Sequence, residues 1–351
     1  MLVDGKHFQS IWRDNSTGEI KIIDQRWLPH EFAIVGLNSL SEVVVSIRDM
    51  WIRGAPLIGV TAAYGMAIAM SEDSSDQNLN SAGELLNSAR PTAVNLTWAV
   101  KRMEDHLRPT PEAKRAVAAM KLADLMAEED ISINRLIGEH GAKIIEEIYV
   151  QKSDQSPVRI LTHCNAGWLA TVDIGTATAP IYVACEKNIP IEVWVDETRP
   201  RNQGAALTTW ELKHNKIPHT LIVDNAGGHL MQRGLVDMCI VGSDRTTRNG
   251  DVCNKIGTYL KALAAKANEV PFYVALPSST IDETLHDGVS EIPIEYRPMN
   301  EVTHIQGLNG NGELEKVQIC PDETKAENPA FDVTPSEFIT GLITENGCKF
   351  I

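Results

Sequence analysis

Cys164 is a residue whose type and position could support chemistry. It follows the apolar run VRILT (158–162) and precedes Asn165-Ala166-Gly167, after which a helix is expected to begin. A thiol near a helix N-terminus has a lowered pKa, and therefore more of the reactive thiolate at neutral pH. The alternative is a small buried core thiol. His163 would point to the opposite face of the strand, so these neighbours are not expected to form a Cys–His pair.

Asp244 is a second candidate, in a loop that follows the apolar run MCIV (238–241). A carboxyl group whose pKa is raised by burial can serve as a general acid. Arg245 and Arg248 stand in the same loop, so the alternative is an aspartate paired with a neighbouring arginine. Asp251 is similarly open to two interpretations, one of which is a cap for the following helix.

Cations that stand next to expected helix starts suggest an anion site. Arg53-Gly54-Ala55-Pro56 places a guanidinium and a bare backbone before a helix with free N–H groups. Asn254-Lys255 is expected to open a second helix, and Arg90 precedes a third. Singly, each is explained by a helix-end salt bridge or a C-cap. Together they indicate a phosphate clamp in an otherwise acidic chain.

These residues need a scaffold whose loops converge. From residue 158 onward, short β-branched runs alternate with helical stretches, which predicts a parallel sheet covered by helices on both faces. In open parallel sheets, ligands bind outside the carboxyl ends of the strands. Five polar loops, containing glycine or other small residues, follow the predicted strands: HCNAG (163–167), DETRPRNQG (196–204), DNAGGH (224–229), GSDRTTRNGD (242–251) and PSSTID (277–282). Together they indicate one composite site, which favours an enzyme over a scaffold protein.

The first 150 residues have a different pattern, which predicts a small β-sheet followed by helices. Short strands are expected between residues 7 and 35, then a helix capped by Ser41 and a buried helix led by Pro56. The remaining expectations are a polar loop over 71–80, a helix over 92–107, a helical stretch over 111–150 interrupted near Glu129-Asp130, and a C-terminal helix over 335–347. The polar segment 151–157 predicts a boundary between domains 1–150 and 151–351, both within an α/β fold class.

Composition narrows the functional classes. The net charge of −15 is unfavourable for binding nucleic acid or an anionic membrane, and no apolar stretch reaches the ~20 residues that span a bilayer. The six cysteines form no C-x-x-C pair, and no signal peptide is visible, which favours reduced thiols in the cytoplasm. Motifs for nucleotide, nicotinamide or zinc binding are absent, so neither a cofactor nor a metal is expected. The expected partner is a small anionic molecule.

Several long motifs resemble one family, the methylthioribose-1-phosphate isomerases. They include RGAPLIGV (53–60), THCNAGWLAT (162–171), DETRPRNQGAALTTWEL (196–212) and GSDRTTRNGDVCNKIGT (242–258), and the likeness extends in order over nearly the whole chain. The family is related to the regulatory subunits of a eukaryotic translation-initiation guanine-nucleotide exchange factor. The resemblance implies a Rossmann-like C-terminal domain, a homodimer and a sugar-phosphate isomerase of methionine salvage. It also implies Cys164 and Asp244 as the catalytic pair, with substrate contacts from Arg53, Gly54, Ala55, Arg90, Gln203, Asn254 and Lys255.

Two departures from the family pattern leave the substrate open. Ala206 stands where the family commonly has arginine, and DNAGGH (224–229) replaces DNMAAH. One alternative is therefore an isomerase of 5-deoxyribose 1-phosphate or another ribose 1-phosphate. A second is a non-catalytic module of the same fold that binds a phosphorylated metabolite, and a hydrolase using Cys164 covalently lacks an evident partner histidine. Trp168 is expected either to help exclude water near Cys164 or to pack in the core.

Overall fold

The computed structural model describes residues 1–90 and 93–351, so the predicted helix start at Thr92 lies outside the described residues. In the described chain, no helix combines the length and apolar character needed to cross a membrane. The α-helices span Leu40–Arg48, Ala55–Glu72, Asp76–Ala89, Val94–Leu107, Glu112–Gln151, Ala179–Glu186, Thr209–His214, Ala226–Gln232, Thr258–Ala267, Gly288–Glu291 and Asn300–Thr303.

A seven-stranded sheet, here called the central sheet, forms the C-terminal half. Its strands pair in parallel, apart from one antiparallel edge hairpin, and apolar residues fill both faces. The chain enters the middle of the sheet, moves to one edge, and crosses back to build the other. This is the doubly wound, Rossmann-like topology that was expected. The spatial order is Gly347–Phe350, Gly341–Thr344, Phe272–Ala275, Met238–Val241, Val158–Thr162, Ile191–Asp196 and His219–Ile222.

A second, four-stranded sheet corrects the prediction for Asn254-Lys255. Both residues lie in the strand Val252–Lys255, which pairs with strands on each side, and the helix begins only at Thr258. Gly257, with φ of 103°, precedes that helix as its N-cap. Pairing with distant segments therefore decided the local structure. The sheet order is Ile281–Asp282, Arg245–Thr247, Val252–Lys255 and Phe331–Thr334.

The N-terminal part contains the predicted small sheet and helices, with two local corrections. Ser39, not Ser41, caps the first helix, because its hydroxyl accepts a hydrogen bond from the Glu42 amide at 3.2 Å. The polar loop predicted over 71–80 is shorter, because the helix Ala55–Glu72 includes residues 71–72 and Ser75 caps a helix that begins at Asp76. The remaining strands are Ile11–Arg13, Ile20–Asp24 and Ala33–Leu37 in one sheet, and the paired strands Leu2–Val3 with Lys6–His7 and His304–Leu308 with Leu314–Gln318.

The helix Glu112–Gln151 runs without the interruption predicted near Glu129-Asp130. Asp130 is buried, and its carboxylate accepts a hydrogen bond from the Val172 amide at 2.7 Å, so this polar position marks a tertiary contact rather than a break. The first half of the helix packs in the N-terminal core, whereas Ile137 and Ile145 pack with the central sheet. Because one helix belongs to both cores, the boundary after residue 150 stays a prediction.

The predicted C-terminal helix over 335–347 is wrong. A single 3₁₀ turn at Ser336–Phe338 is followed by the strands Gly341–Thr344 and Gly347–Phe350, which complete the central sheet. Leu342 and Ile343 are buried there. A short apolar segment satisfies helical and extended patterns equally, and pairing with Phe272–Ala275 selects the strand.

Candidate active site

One pocket contains every residue that the sequence singled out for catalysis or binding. It lies at the switch point of the central sheet, where Val158–Thr162 and Met238–Val241 are neighbours that continue in opposite directions. The segment that opens the helix Ala55–Glu72 closes the pocket from the N-terminal side. The structure thus brings together Arg53, Gly54, Ala55, Arg90, Cys164, Gln203, Asp244, Asn254 and Lys255.

Cys164 lies in the loop after the first strand of the central sheet, in a left-handed backbone conformation with φ of 68°. Its amide donates to Thr198 Oγ1 at 2.9 Å, and its carbonyl accepts from Thr208 Oγ1 at 2.8 Å. The helix expected just after this loop is only a 3₁₀ turn at Trp168–Ala170. The expected lowering of the thiol pKa is therefore wrong: burial raises it, although Arg53 and Lys255 act in the opposite direction.

His163 points away from the pocket, as predicted, and belongs to a buried charged cluster. Its Nδ1 lies 2.8 Å from Asp196 Oδ2 and its Nε2 2.8 Å from the Ile256 carbonyl. With Asp224, these side chains have the spacing of a metal site. However, Lys261 Nζ lies 3.2 Å from Asp196 Oδ2, so an ammonium group already balances the buried carboxylate.

Asp244 follows the strand Met238–Val241 on the other side of the switch point. Its amide donates to the Cys253 carbonyl at 2.9 Å, which fixes the loop. The carboxyl group faces the pocket and is half-buried, and burial raises its pKa, against the smaller opposing effect of Lys255, Arg90 and Arg53. Among the described residues it forms no salt bridge, so the arginine-paired alternative does not describe it.

The two arginines that follow Asp244 have other partners. Arg245 approaches Asp282 at 4.0 Å, and Arg248 approaches Glu283 at 3.8 Å on the exposed surface. Asp251 does not cap the helix that follows it, Thr258–Ala267. Its carboxylate accepts instead from the amides of Gly288 and Ser336, both at 2.9 Å, which begin the short helix Gly288–Glu291 and the 3₁₀ turn Ser336–Phe338.

The Arg53-Gly54-Ala55 segment leads into a helix, as expected, and the helix is Ala55–Glu72. Arg53 donates two hydrogen bonds to Asn165, one to the side-chain oxygen and one to the carbonyl. Gly54 is the N-cap of the following helix, with φ of 97°, and an added Cβ would lie 2.5 Å from Ala170 backbone atoms. Glycine is thus required for the helix N-terminus to approach the Cys164 loop.

Lys255, like Arg53, is a cation of the pocket without a carboxylate partner among the described residues. Its Nζ donates to the Ala330 carbonyl at 2.9 Å and lies 4.5 Å from the ring centroid of Phe331. Burial lowers its pKa. Arg90 differs, because it also pairs with Glu295 at 3.2 Å, so the helix-end salt bridge considered for it is present.

Asn254 and Gln203 complete the predicted set. Asn254 Nδ2 donates to Thr258 Oγ1 at 3.0 Å, whereas Gln203 Oε1 is buried and has no hydrogen-bond partner among the described residues. Gln203 also borders an adjoining cleft of about 430 Å³, whose lining includes Ala206. Trp168 is fully buried against Trp210, so it packs in the core and does not line the pocket.

Sequence reasoning did not single out several residues that line this pocket, among them Asn165, Met50 and Phe331. Asn165 is adjacent to Cys164 in the HCNAG loop, and this position is the signal that could have identified it as a pocket residue. Met50 lies three residues before Arg53, and Phe331 comes from a strand far along the chain. Neither apolar residue carries a local sequence signal that separates it from the core.

Comparison with known proteins shows the class to which this fold and pocket belong. The model of the initiation factor 2 subunit family matches residues 51–349. Methylthioribose-1-phosphate isomerases from Rhizobium meliloti (strain 1021) and Cereibacter sphaeroides (strain KD131) are 62% and 61% identical over 347 residues, covering 99% of this chain and 95% and 94% of theirs. The chain therefore belongs to the initiation factor 2 subunit family, in its methylthioribose-1-phosphate isomerase branch.

Solved structures agree with this placement. The 5-methylthioribose 1-phosphate isomerase of Pyrococcus horikoshii is 37% identical, with a TM-score of 0.84 over 98% of this chain and 93% of that one. The translation initiation factor eIF-2B delta subunit of A. fulgidus is 38% identical, with a TM-score of 0.80 over 98% and 96% of the two chains.

Proposed function

We propose that this protein is an aldose–ketose isomerase that converts 5-methylthioribose 1-phosphate into the corresponding ribulose 1-phosphate. The observation that carries the proposal is the meeting of Cys164 and Asp244 from the two sides of the switch point. Both face one pocket with Arg53 and Lys255, two cations that lack a carboxylate partner among the described residues. The names of relatives that are 56–62% identical over nearly the whole chain support the same activity.

The phosphate group would bind between the two parts of the chain. Arg53 contributes a charged donor beside the backbone N–H groups of Gly54 and Ala55, and Lys255 contributes a point charge from the other part of the chain. Arg90 adds a cation that Glu295 already partly neutralises. Asn254 and the unpartnered Gln203 would bind sugar oxygens, which restores a hydrogen bond to the buried Gln203 carbonyl oxygen.

Ring opening is the first chemical problem. The anomeric oxygen is esterified to phosphate, so the ring cannot open spontaneously as a free sugar does. Asp244 would protonate the ring oxygen while the bond between that oxygen and carbon 1 breaks. The ring oxygen then becomes the 4-hydroxyl group. The raised pKa of Asp244 keeps its carboxyl group protonated closer to neutral pH, as this role requires.

Hydrogen transfer between carbons 1 and 2 completes the isomerisation. In a proton route, Cys164 as thiolate removes the proton from carbon 2 and returns it to carbon 1 of the resulting enol, while the 2-hydroxyl proton passes to the Asp244 carboxylate, which regains the proton it gave to the ring oxygen. In a hydride route, the hydrogen moves from carbon 2 to carbon 1 with its electron pair, and the 2-hydroxyl proton passes to a base. Arg53 and Lys255 favour the thiolate, while burial opposes it. Both routes yield the same ketose with no change in atom count.

The setting of the reaction is also a proposal. The family resemblance supports a homodimer, and the names of the relatives support a place in methionine salvage. We propose a cytoplasmic enzyme that binds neither nucleic acid nor membrane, which the net charge of −15 and the reduced cysteines support.

The proposal is tested by incubating the protein with 5-methylthioribose 1-phosphate, 5-deoxyribose 1-phosphate and ribose 1-phosphate. Ketose formation is followed by the carbonyl signal in ¹³C NMR. We expect turnover of the methylthio compound, abolished in Cys164→Ser and retained in Cys185→Ser, whose thiol lies in a helix outside the pocket. Preference for another substrate would correct the group on carbon 5. Phosphate-ester binding with no turnover of any of the three would identify a non-catalytic module instead.

A further inference from the structure

Glu211 is a fully buried carboxyl group directly behind the pocket, and four hydrogen bonds converge on it. Oε1 lies 3.0 Å from Asn165 Nδ2 and 2.9 Å from the Leu169 amide. Oε2 lies 3.2 Å from the Trp168 amide and 3.1 Å from the Tyr182 hydroxyl. The two side-chain oxygens thus meet donors from the Cys164 loop and from the helix Ala179–Glu186.

The loop is built to touch this carboxyl group. A Cβ added at Gly167 would overlap Glu211 Oε2, so glycine is what lets the loop backbone reach it. Three of the four donors are N–H groups, which only donate, and an ionised carboxylate is an acceptor-only group. Protonation would turn one acceptor into a donor and set it against a neighbouring donor. The ionised form therefore matches this loop best.

Asn165 connects Glu211 to the pocket. While its Nδ2 donates to Glu211, its side-chain oxygen and carbonyl accept both hydrogen bonds from Arg53. Thr208 Oγ1 lies 3.2 Å from the same Nδ2 and donates to the Cys164 carbonyl at 2.8 Å. A change at Glu211 would therefore displace the Asn165 side chain, and through it both Arg53 and the loop that carries Cys164.

We propose that Glu211 is a positioning residue of the isomerase, which orients Arg53 for the substrate phosphate by holding Asn165 and the loop over residues 167–169. This inference rests on the proposed function, because it assigns Arg53 to the phosphate of that substrate. Glu211 itself does not line the pocket. Its effect is therefore expected mainly in substrate binding.

The titration of Glu211 makes the effect measurable. Burial raises its pKa to about 7, while its hydrogen bonds and Arg53 act in the opposite direction. The other ionisable groups around it are Tyr182, whose pKa is well above its usual value, and the Met1 amine, which is held by Asp173. Above pH 7 the carboxylate accepts all four hydrogen bonds. Below it, protonation loosens Asn165, so KM is expected to rise.

The test compares kcat and KM of the full chain between pH 5.5 and 8.5 for the wild type, Glu211→Gln, Tyr182→Phe and Asp130→Asn. Asp130 is the matched control, because burial also raises its pKa to about 7 but it contacts the Val172 amide instead of Asn165. Tyr182→Phe removes one of the four hydrogen bonds and keeps the carboxylate. The substrate phosphate titrates identically in all four proteins, so differences between them isolate the variant residue.

We expect Glu211→Gln to raise KM about tenfold at pH 8, with a smaller change in kcat, and to reduce the rise of KM below pH 7 to the part that the substrate phosphate contributes. Tyr182→Phe should shift that rise to higher pH, because the ionised carboxylate loses a donor. Asp130→Asn should keep the wild-type profile. If Glu211→Gln keeps it too, or fails to fold while Tyr182→Phe leaves the profile unmoved, the inference is wrong. Absence of wild-type turnover would instead reject the proposed function.

Discussion

Removing the charge of Arg53 or Lys255 should weaken the binding of inorganic phosphate about ten- to a hundredfold. Neither cation has a carboxylate within salt-bridge distance in the described chain, so the attraction of each is available to a bound anion. A hydrogen bond to a charged group contributes roughly 1.5–3 kcal/mol, and each 1.4 kcal/mol is about tenfold in affinity. Arg90 is already paired with Glu295, so Arg90→Ala should have the smaller effect, about fivefold.

Isothermal titration calorimetry with inorganic phosphate measures this directly, at two salt concentrations. Higher salt should weaken phosphate binding in the wild type, and the same increase in salt should weaken it less in Arg53→Ala and Lys255→Ala. Arg248→Ala is the matched control, because this exposed arginine lies outside the pocket and pairs with Glu283. The reasoning is refuted if Arg53→Ala and Lys255→Ala bind phosphate as tightly as the wild type, which would make both cations structural.

Two further predictions concern the frame around the pocket. Gly54→Ala should lower the melting temperature by several degrees and raise KM, because the new Cβ meets Ala170 and a positive φ is unfavourable for alanine; an unchanged melting temperature would contradict the close approach. Asp130 has its pKa raised from 3.8 to about 7 by burial, so the folded chain binds this proton more tightly than the unfolded chain. Its contribution to stability is therefore present below about pH 4 and lost as pH rises through 7. Urea unfolding at pH 5 and at pH 8 gives the free energy of unfolding at each pH. The difference between the two values should be smaller for Asp130→Asn than for the wild type, and an equal difference would contradict the raised pKa of Asp130.

The meeting of Cys164 and Asp244 could be predicted because it depends on a simple rule of topology. Each follows an apolar run that is recognisable as a strand, and parallel strands place their carboxyl ends on one edge. Gly54 and Pro56 mark a helix start beside Arg53 and so predict an anion site, but only the resemblance placed that site with Cys164 and Asp244. The family resemblance added Gln203, whose position in the chain carries no such local signal.

What could not be predicted depends on contacts between distant segments. Asn254-Lys255 looked like a helix start, but pairing with Phe331–Thr334 makes it a strand. The environment of Cys164 was misjudged for the same reason: the loop is fixed by Thr208 and Glu211, which come from a distant part of the chain, and no α-helix begins there. The thiol pKa is consequently set by burial and by two cations, which local sequence does not reveal.

The most direct test of the central claim is to measure substrate binding and turnover for Asp244→Asn. The asparagine keeps the size of the side chain but cannot donate the proton that opens the ring. We predict that 5-methylthioribose 1-phosphate binds within a few-fold of the wild type, while turnover falls by about 10²–10⁴-fold. Turnover close to that of the wild type would contradict the account, and a parallel loss of binding and turnover would make Asp244 a substrate anchor instead of the general acid.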